Sequence, residues 1–153
     1  MPPLQQLAAL GETVWGMPVA GTTPFNAQML ADVVGDGAQR YVDNGVTRGF
    51  VQELADSVGR RIELYVMHVG EPARGRSLLD GLRASVSEPL GVPETADTVA
   101  FAAHVGASCH VYARLECYFA ELRMAGFGSC DEAMVLAAST LGEYRNTAGR
   151  GAR

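Results

Sequence analysis

HVGASCHVYARLECYFAE, residues 104–121, is the chemically densest part of the chain. It holds two His, two Cys, two Tyr, one Arg and two Glu. On a helical wheel at about 100° per residue, Phe101, Val111, Tyr112, Leu115, Phe119 and Leu122 share one apolar sector. The spacing therefore predicts one long helix from about residue 94 to 124. At 1.5 Å per residue it would extend about 46 Å. A compact domain of this size is only about 38 Å across, so the helix should bend at Gly106 or protrude.

The wheel sorts the reactive residues. His104 and Ser108 fall inside the apolar sector with Tyr112. His110, Arg114, Cys117 and Glu121 fall on the opposite side, and Cys109 and Glu116 lie on a flank. A structural zinc site needs four ligands converging on one point. His104 and His110 face apart, and C-x-x-C, H-E-x-x-H and paired E-x-x-H motifs are missing, so no metal and no cofactor are expected. His104, Ser108 and Tyr112, with His68 and Arg61 from another helix, form the candidate ligand pocket. His110, Arg114, Cys117 and Glu121 form the candidate interface, for a homodimer or a second packed helix.

Helical signals continue on both sides. Residues 4–10 read as a short helix, and 11–23 as a connector pinned by Trp15. Thr23-Pro24 reads as the start of a second helix whose stop is Asp43-Asn44-Gly45. Its Gly35 and Gly37 read as a close helix crossing. From about Thr47 to Val69, Phe50, Leu54, Val58, Ile62, Tyr65 and Val69 form a stripe. Asp56 and Arg60 stand at an i,i+4 spacing opposite it. A fourth helix is expected at about 76–88. A last one starts at a Ser129/Glu132 capping box and buries Met134, Val135, Ala138 and Leu141. No alternating runs bounded by hairpin turns compete. The expected architecture is all-α: a single domain over 1–145, with five or six helices around the long central one, and a flexible tail at 146–153.

Composition narrows the function. The 153 residues carry a net charge of −5, which argues against nucleic-acid binding. All 12 basic residues are arginine, which removes Schiff-base chemistry and a P-loop lysine. The three cysteines and the missing secretory signal predict reduced thiols in the cytoplasm. No apolar run is long enough to span a membrane. Cys130, at a helix start where the dipole favours a thiolate, is opposed by Asp131 and Glu132. The function expected is non-catalytic binding of a small apolar molecule or a protein partner. The alternatives are a cofactor-independent cyclase, isomerase or dehydratase using His104 as general acid or base, and a structural subunit that dimerises through the long helix.

Overall fold

Residues 104–121 form strands and turns. A computed structural model describes residues 3–92 and 99–150. In chain order it contains α1 (Leu4–Val14), β1 (Val19–Asn26), α2 (Leu30–Val34), α3 (Ala38–Asp43), β2 (Arg48–Ala55), β3 (Arg61–His68), α4 (Pro72–Ser85), β4 (Leu90–Gly91), β5 (Val99–Val105), β6 (Ser108–Leu115), β7 (Tyr118–Ala125) and α5 (Cys130–Arg150). The strands make one sheet in the order β1-β2-β3-β7-β6-β5-β4. Every neighbouring pair is antiparallel.

The sheet is covered on both faces, and this corrects the expected helical bundle. On one face Leu54, Leu64, Val111, Leu115, Ala120 and Leu122 pack with α1 and α5 in one buried cluster. On the other, Tyr65, Met67, Phe101, Tyr112 and Phe119 pack with residues of α2, α3 and α4. A strand buried on both faces has no polar side, so its sequence reads as a nearly continuous apolar run. Such a run fits a helical wheel as readily as a strand.

The predicted 94–124 helix begins in residues that lie outside the described ones, and from Val99 onward it is β5, β6 and β7. Gly106 is the turn of the β5–β6 hairpin. Its φ of +60° lies in the left-handed region that glycine adopts without steric cost. The 47–69 helix is the β2–β3 hairpin. Its i,i+4 pair is real but closes a turn: Arg60 Nε lies 2.6 Å from Asp56 Oδ2, and the backbone N–H groups of Val58 and Arg60 donate to Asp56 Oδ1. The helix expected from Pro24 is divided. Its first residues finish β1, and Gly35 and Gly37, at φ +85° and +94°, separate α2 from α3.

Three helices stand where the sequence placed them. α1 and α4 cover the expected segments with different ends. The N-terminus of α5 has the Ser129 half of its capping box: Glu132 N–H donates to Ser129 Oγ at 3.2 Å, while Glu132 Oε2 accepts from the N–H of Gly128, one residue before the cap, at 3.0 Å. Met134, Ala138 and Leu141 are buried, whereas Val135 is 62% exposed. α5 continues to Arg150 with Ala148 buried, so helix occupies the first residues of the segment read as a tail. Trp15 does pin its connector, donating from Nε1 to Tyr144 Oη on α5 at 2.8 Å.

The cysteines also depart from expectation. Cys109 on β6 and Cys130 at the start of α5 are joined by a disulfide, with Cα atoms 5.3 Å apart. Cys117 is free and buried. The thiol pairing was not legible because the expected helix placed Cys109 far from the next one. Strand β6 brings it beneath the first turn of α5.

Candidate functional site

Alternation along β7 sends Phe119, Glu121 and Arg123 to the α2–α4 face. Glu121 is only 4% exposed there. Its Oε1 accepts from Tyr41 Oη of α3 at 2.7 Å, and its Oε2 accepts from Arg123 Nε at 3.1 Å. Arg123 also donates from Nη2 to the Val34 carbonyl at the end of α2, at 2.6 Å. The guanidinium lies 4.7 Å from the centre of the Tyr65 ring. Tyr65 in turn donates to Glu63 Oε2 at 2.7 Å. A chain of five polar side chains thus runs from α3 through β7 to β3.

Burial dominates the electrostatics of this face. It lifts the Glu121 carboxyl above the usual carboxylate range, although the Arg123 charge and the hydrogen bonds from Tyr41 and Arg123 pull it back. Burial, followed by the Glu121 charge, raises the Tyr41 phenol well above its usual value. His110 stands opposite Arg123 across the β6–β7 pair. Burial and then the Arg123 guanidinium push it down to about 4. Tyr112, opposite Glu121 and stacked on Phe101 with ring centres 5.0 Å apart, is pushed up to about 12 by burial and then by Glu121. These groups hold one another in place: both Glu121 oxygens, and Nε and Nη2 of Arg123, are bonded to neighbours.

Beyond Arg123 the same face opens to solvent. A depression of about 200 Å³ is lined there by Glu53, Ala55, Arg61, Glu63, Ser108 and Arg123, among others. Glu53 and Glu63 are directly opposite in the β2–β3 register, and both are exposed. Like charges directly opposite across a strand pair are destabilising. The pair therefore sets two carboxylates side by side at the groove, with Arg123 directly opposite Glu63 across the β3–β7 pair and Arg61 two residues along β3.

The residues expected to line one pocket are divided among four places, Tyr112 being stacked on Phe101 as above. Arg61 and Ser108 do meet, in this groove. Ser108 also borders a separate depression of about 240 Å³ with His104, Met124 and the Cys109–Cys130 bond. His104 is exposed, opposite Cys109 in the β5–β6 register and so on the α1/α5 face, away from Tyr112. His68 is at the far end of β3 from Arg61, edge-on to Tyr118 with ring centres 5.4 Å apart. The structure does not assemble His104, Tyr112 and His68 around one reacting atom.

The four interface candidates are also redistributed. His110 and Arg114 are half-buried on β6, Cys117 is buried in the β6–β7 turn, and Glu121 is buried beneath α3. The period-two positions of strands, not the wheel, decide which of them share a face. Tyr41, Glu63, Tyr65 and Arg123 were not singled out from sequence. The signal for them was the pairing of polar types two apart, Glu63 with Tyr65 and Glu121 with Arg123, inside otherwise apolar runs.

Among the described residues, no group of three or more His, Cys, Asp or Glu is placed to hold a metal ion. No described helix is long and apolar enough to cross a membrane.

The sequence matches no family model, and no curated protein matches it. Solved structures do resemble the fold. The crystal structure of a GTP binding regulator from Thermotoga maritima is similar with a TM-score of 0.59 at 15% identity, over 95% of this chain and 89% of that one. The extracellular domain of PknH from Mycobacterium tuberculosis is similar with a TM-score of 0.51 at 9% identity, over 95% of this chain and 93% of that one. At these identities the likeness concerns the fold alone: this chain shares a sheet-rich architecture with both.

Proposed function

We propose that the protein is a non-catalytic recognition domain that takes a protein partner at the open groove of the α2–α4 face. The partner presents a basic side chain to the opposed carboxylates of Glu53 and Glu63. This carboxylate pair is the observation that carries the reading. Side by side the two charges repel, and a cation placed between them relieves that repulsion. The net charge of −5 favours the approach of a basic partner. Size also favours a side chain over a small apolar molecule. A drug-sized apolar ligand usually needs a pocket of about 300–1,000 Å³ lined mainly by apolar groups, whereas this groove is about 200 Å³ and rimmed by charge. The Cys109–Cys130 bond supports an oxidising compartment, in place of the cytoplasm expected from the cysteine count.

A photo-cross-linking residue at Ala55, in protein expressed in its native cells, tests this. The expected result is a discrete protein adduct that disappears when Glu53 and Glu63 are both changed to Lys. A cross-linker at exposed Val135 on α5 is the control. Adducts identical at both positions, or insensitive to the charge reversal, would sink the proposal. So would a small molecule retained at the groove in native mass spectrometry.

A further inference from the structure

At the other end of β6 the same sheet builds a different kind of place. The β6–β7 turn, Glu116-Cys117, packs against the segment before α4, with the N–H groups of Val69 and Gly70 donating to the Cys117 carbonyl at 2.9 and 3.2 Å. A cavity of about 250 Å³ opens there, lined by Pro72, Arg76, Arg114, Glu116 and Arg145. Three guanidiniums from three elements, α4, β6 and α5, thus share one small cavity with a single carboxylate.

Three observations distinguish this from an ordinary solvated cluster. The Nε of Arg114 is buried and has no hydrogen-bond partner among the described residues. A buried guanidinium N–H without an acceptor is costly. Glu116 is the one described non-glycine residue at positive φ, +58°, a conformation held at a cost of about 1 kcal/mol or more. That strained turn directs Glu116 at Arg145, 3.2 Å away, so the carboxylate occupies part of the cavity as an internal anion. Pro72 then begins the 14-residue α4, whose positive dipole end faces the same space.

We propose that this cavity is a binding site for a tetrahedral oxyanion of the phosphate type. Arg76 and Arg114 supply the donors. The anion gives Arg114 Nε its acceptor, while Glu116 holds Arg145 in position and competes for it. Planar guanidinium forks match phosphate oxygens in pairs, which is the chemistry that recognises such a group. The phosphate belongs either to a free small molecule or to a phosphorylated side chain, and both present the same oxygens. This site is independent of the Glu53/Glu63 groove, which lies at the opposite end of β6.

The test is a titration of the isotopically labelled full chain with sodium phosphate, followed by the backbone and arginine Nε–H resonances. Sodium chloride at matched ionic strength is the control. The Arg114 Nε–H signal is expected to shift saturably with phosphate and not with chloride. Arg76→Ala, at an exposed position, should weaken phosphate at least about fivefold, as loss of one charge-assisted contact does. Glu116→Asn keeps a residue that tolerates positive φ and removes the competing carboxylate, so it should tighten phosphate severalfold. Parallel titrations with a phosphoserine peptide and a nucleoside monophosphate identify the source by which binds more tightly than inorganic phosphate. Unsaturable shifts equal for phosphate and chloride, or an Arg76→Ala affinity equal to wild type, overturn the proposal.

Discussion

Reduction of the Cys109–Cys130 bond offers a quantitative check on the whole chain path. The bond joins residues 21 apart in sequence. For a loop of that length, the loss of unfolded-state entropy contributes about 3.3 kcal/mol to stability. Reduction measures this more cleanly than substitution, because both sulfurs are buried and replacing Cys by Ala would add a packing defect. With a urea dependence of about 2 kcal/mol per molar, the unfolding midpoint should fall by about 1.6 M on reduction. Thiol counting supplies the second readout. Unfolded, unreduced protein should show one reactive thiol, that of Cys117, and reduced protein should show three. In the folded protein Cys117 should react slowly, since burial, and then the Glu116 charge, raise its thiol. Three reactive thiols before reduction would refute the pairing. A midpoint change below about 0.5 M would refute the entropic account while leaving the bond itself.

The buried polar chain yields two more tests. Tyr41→Phe leaves Glu121 Oε1 without its donor beneath α3, and should cost about 1–3 kcal/mol in urea unfolding with no change of fold. A loss below about 0.5 kcal/mol would mean that water reaches the carboxylate. His110 titrates at about 4 in the fold, against about 6.5 when unfolded. The unfolded chain therefore binds the extra proton first, so this stability is present above pH 6.5 and is lost as pH falls through 4. Solvent screening at this half-buried site reduces the full effect to about 1–2 kcal/mol. Glu121 acts oppositely: burial raises its carboxyl, so its contribution weakens as pH rises. His110→Gln should remove the loss between pH 6.5 and 4. Equal slopes for variant and wild type would show that His110 is not held neutral.

How much of this was legible in the sequence follows from what each element must satisfy locally. The start of α5 was readable because a capping box is local: Ser129 and Glu132 answer backbone N–H groups within one turn. Trp15 was readable as an anchor because its size and N–H demand a buried partner. The sheet was not readable, because α1 and α5 on one side and α2, α3 and α4 on the other bury both faces of the central strands. Val111 and Tyr112 are then both apolar neighbours, although they point oppositely. Asp56 and Arg60 actively misled, since an i,i+4 ion pair closes a hairpin as well as it decorates a helix. Of the expected pocket, only Arg61 with Ser108, and Ser108 with His104, share a depression. Their positions depend on cross-strand register, which a single sequence does not display.

The strand order carries a consequence for assembly. β1-β2-β3 and β4-β5-β6-β7 are two meanders, each built from segments consecutive in sequence, and they meet only where β3 pairs with β7. That seam must be found across about fifty residues of intervening chain, the kind of distant pairing that slows folding. It is also where Glu63 and Tyr65 meet Glu121 and Arg123. A slip of one residue would turn Glu121 toward the apolar layer of α1 and α5 and strip it of Tyr41. The polar chain therefore works as a key: the two halves of the sheet join tightly in one alignment only.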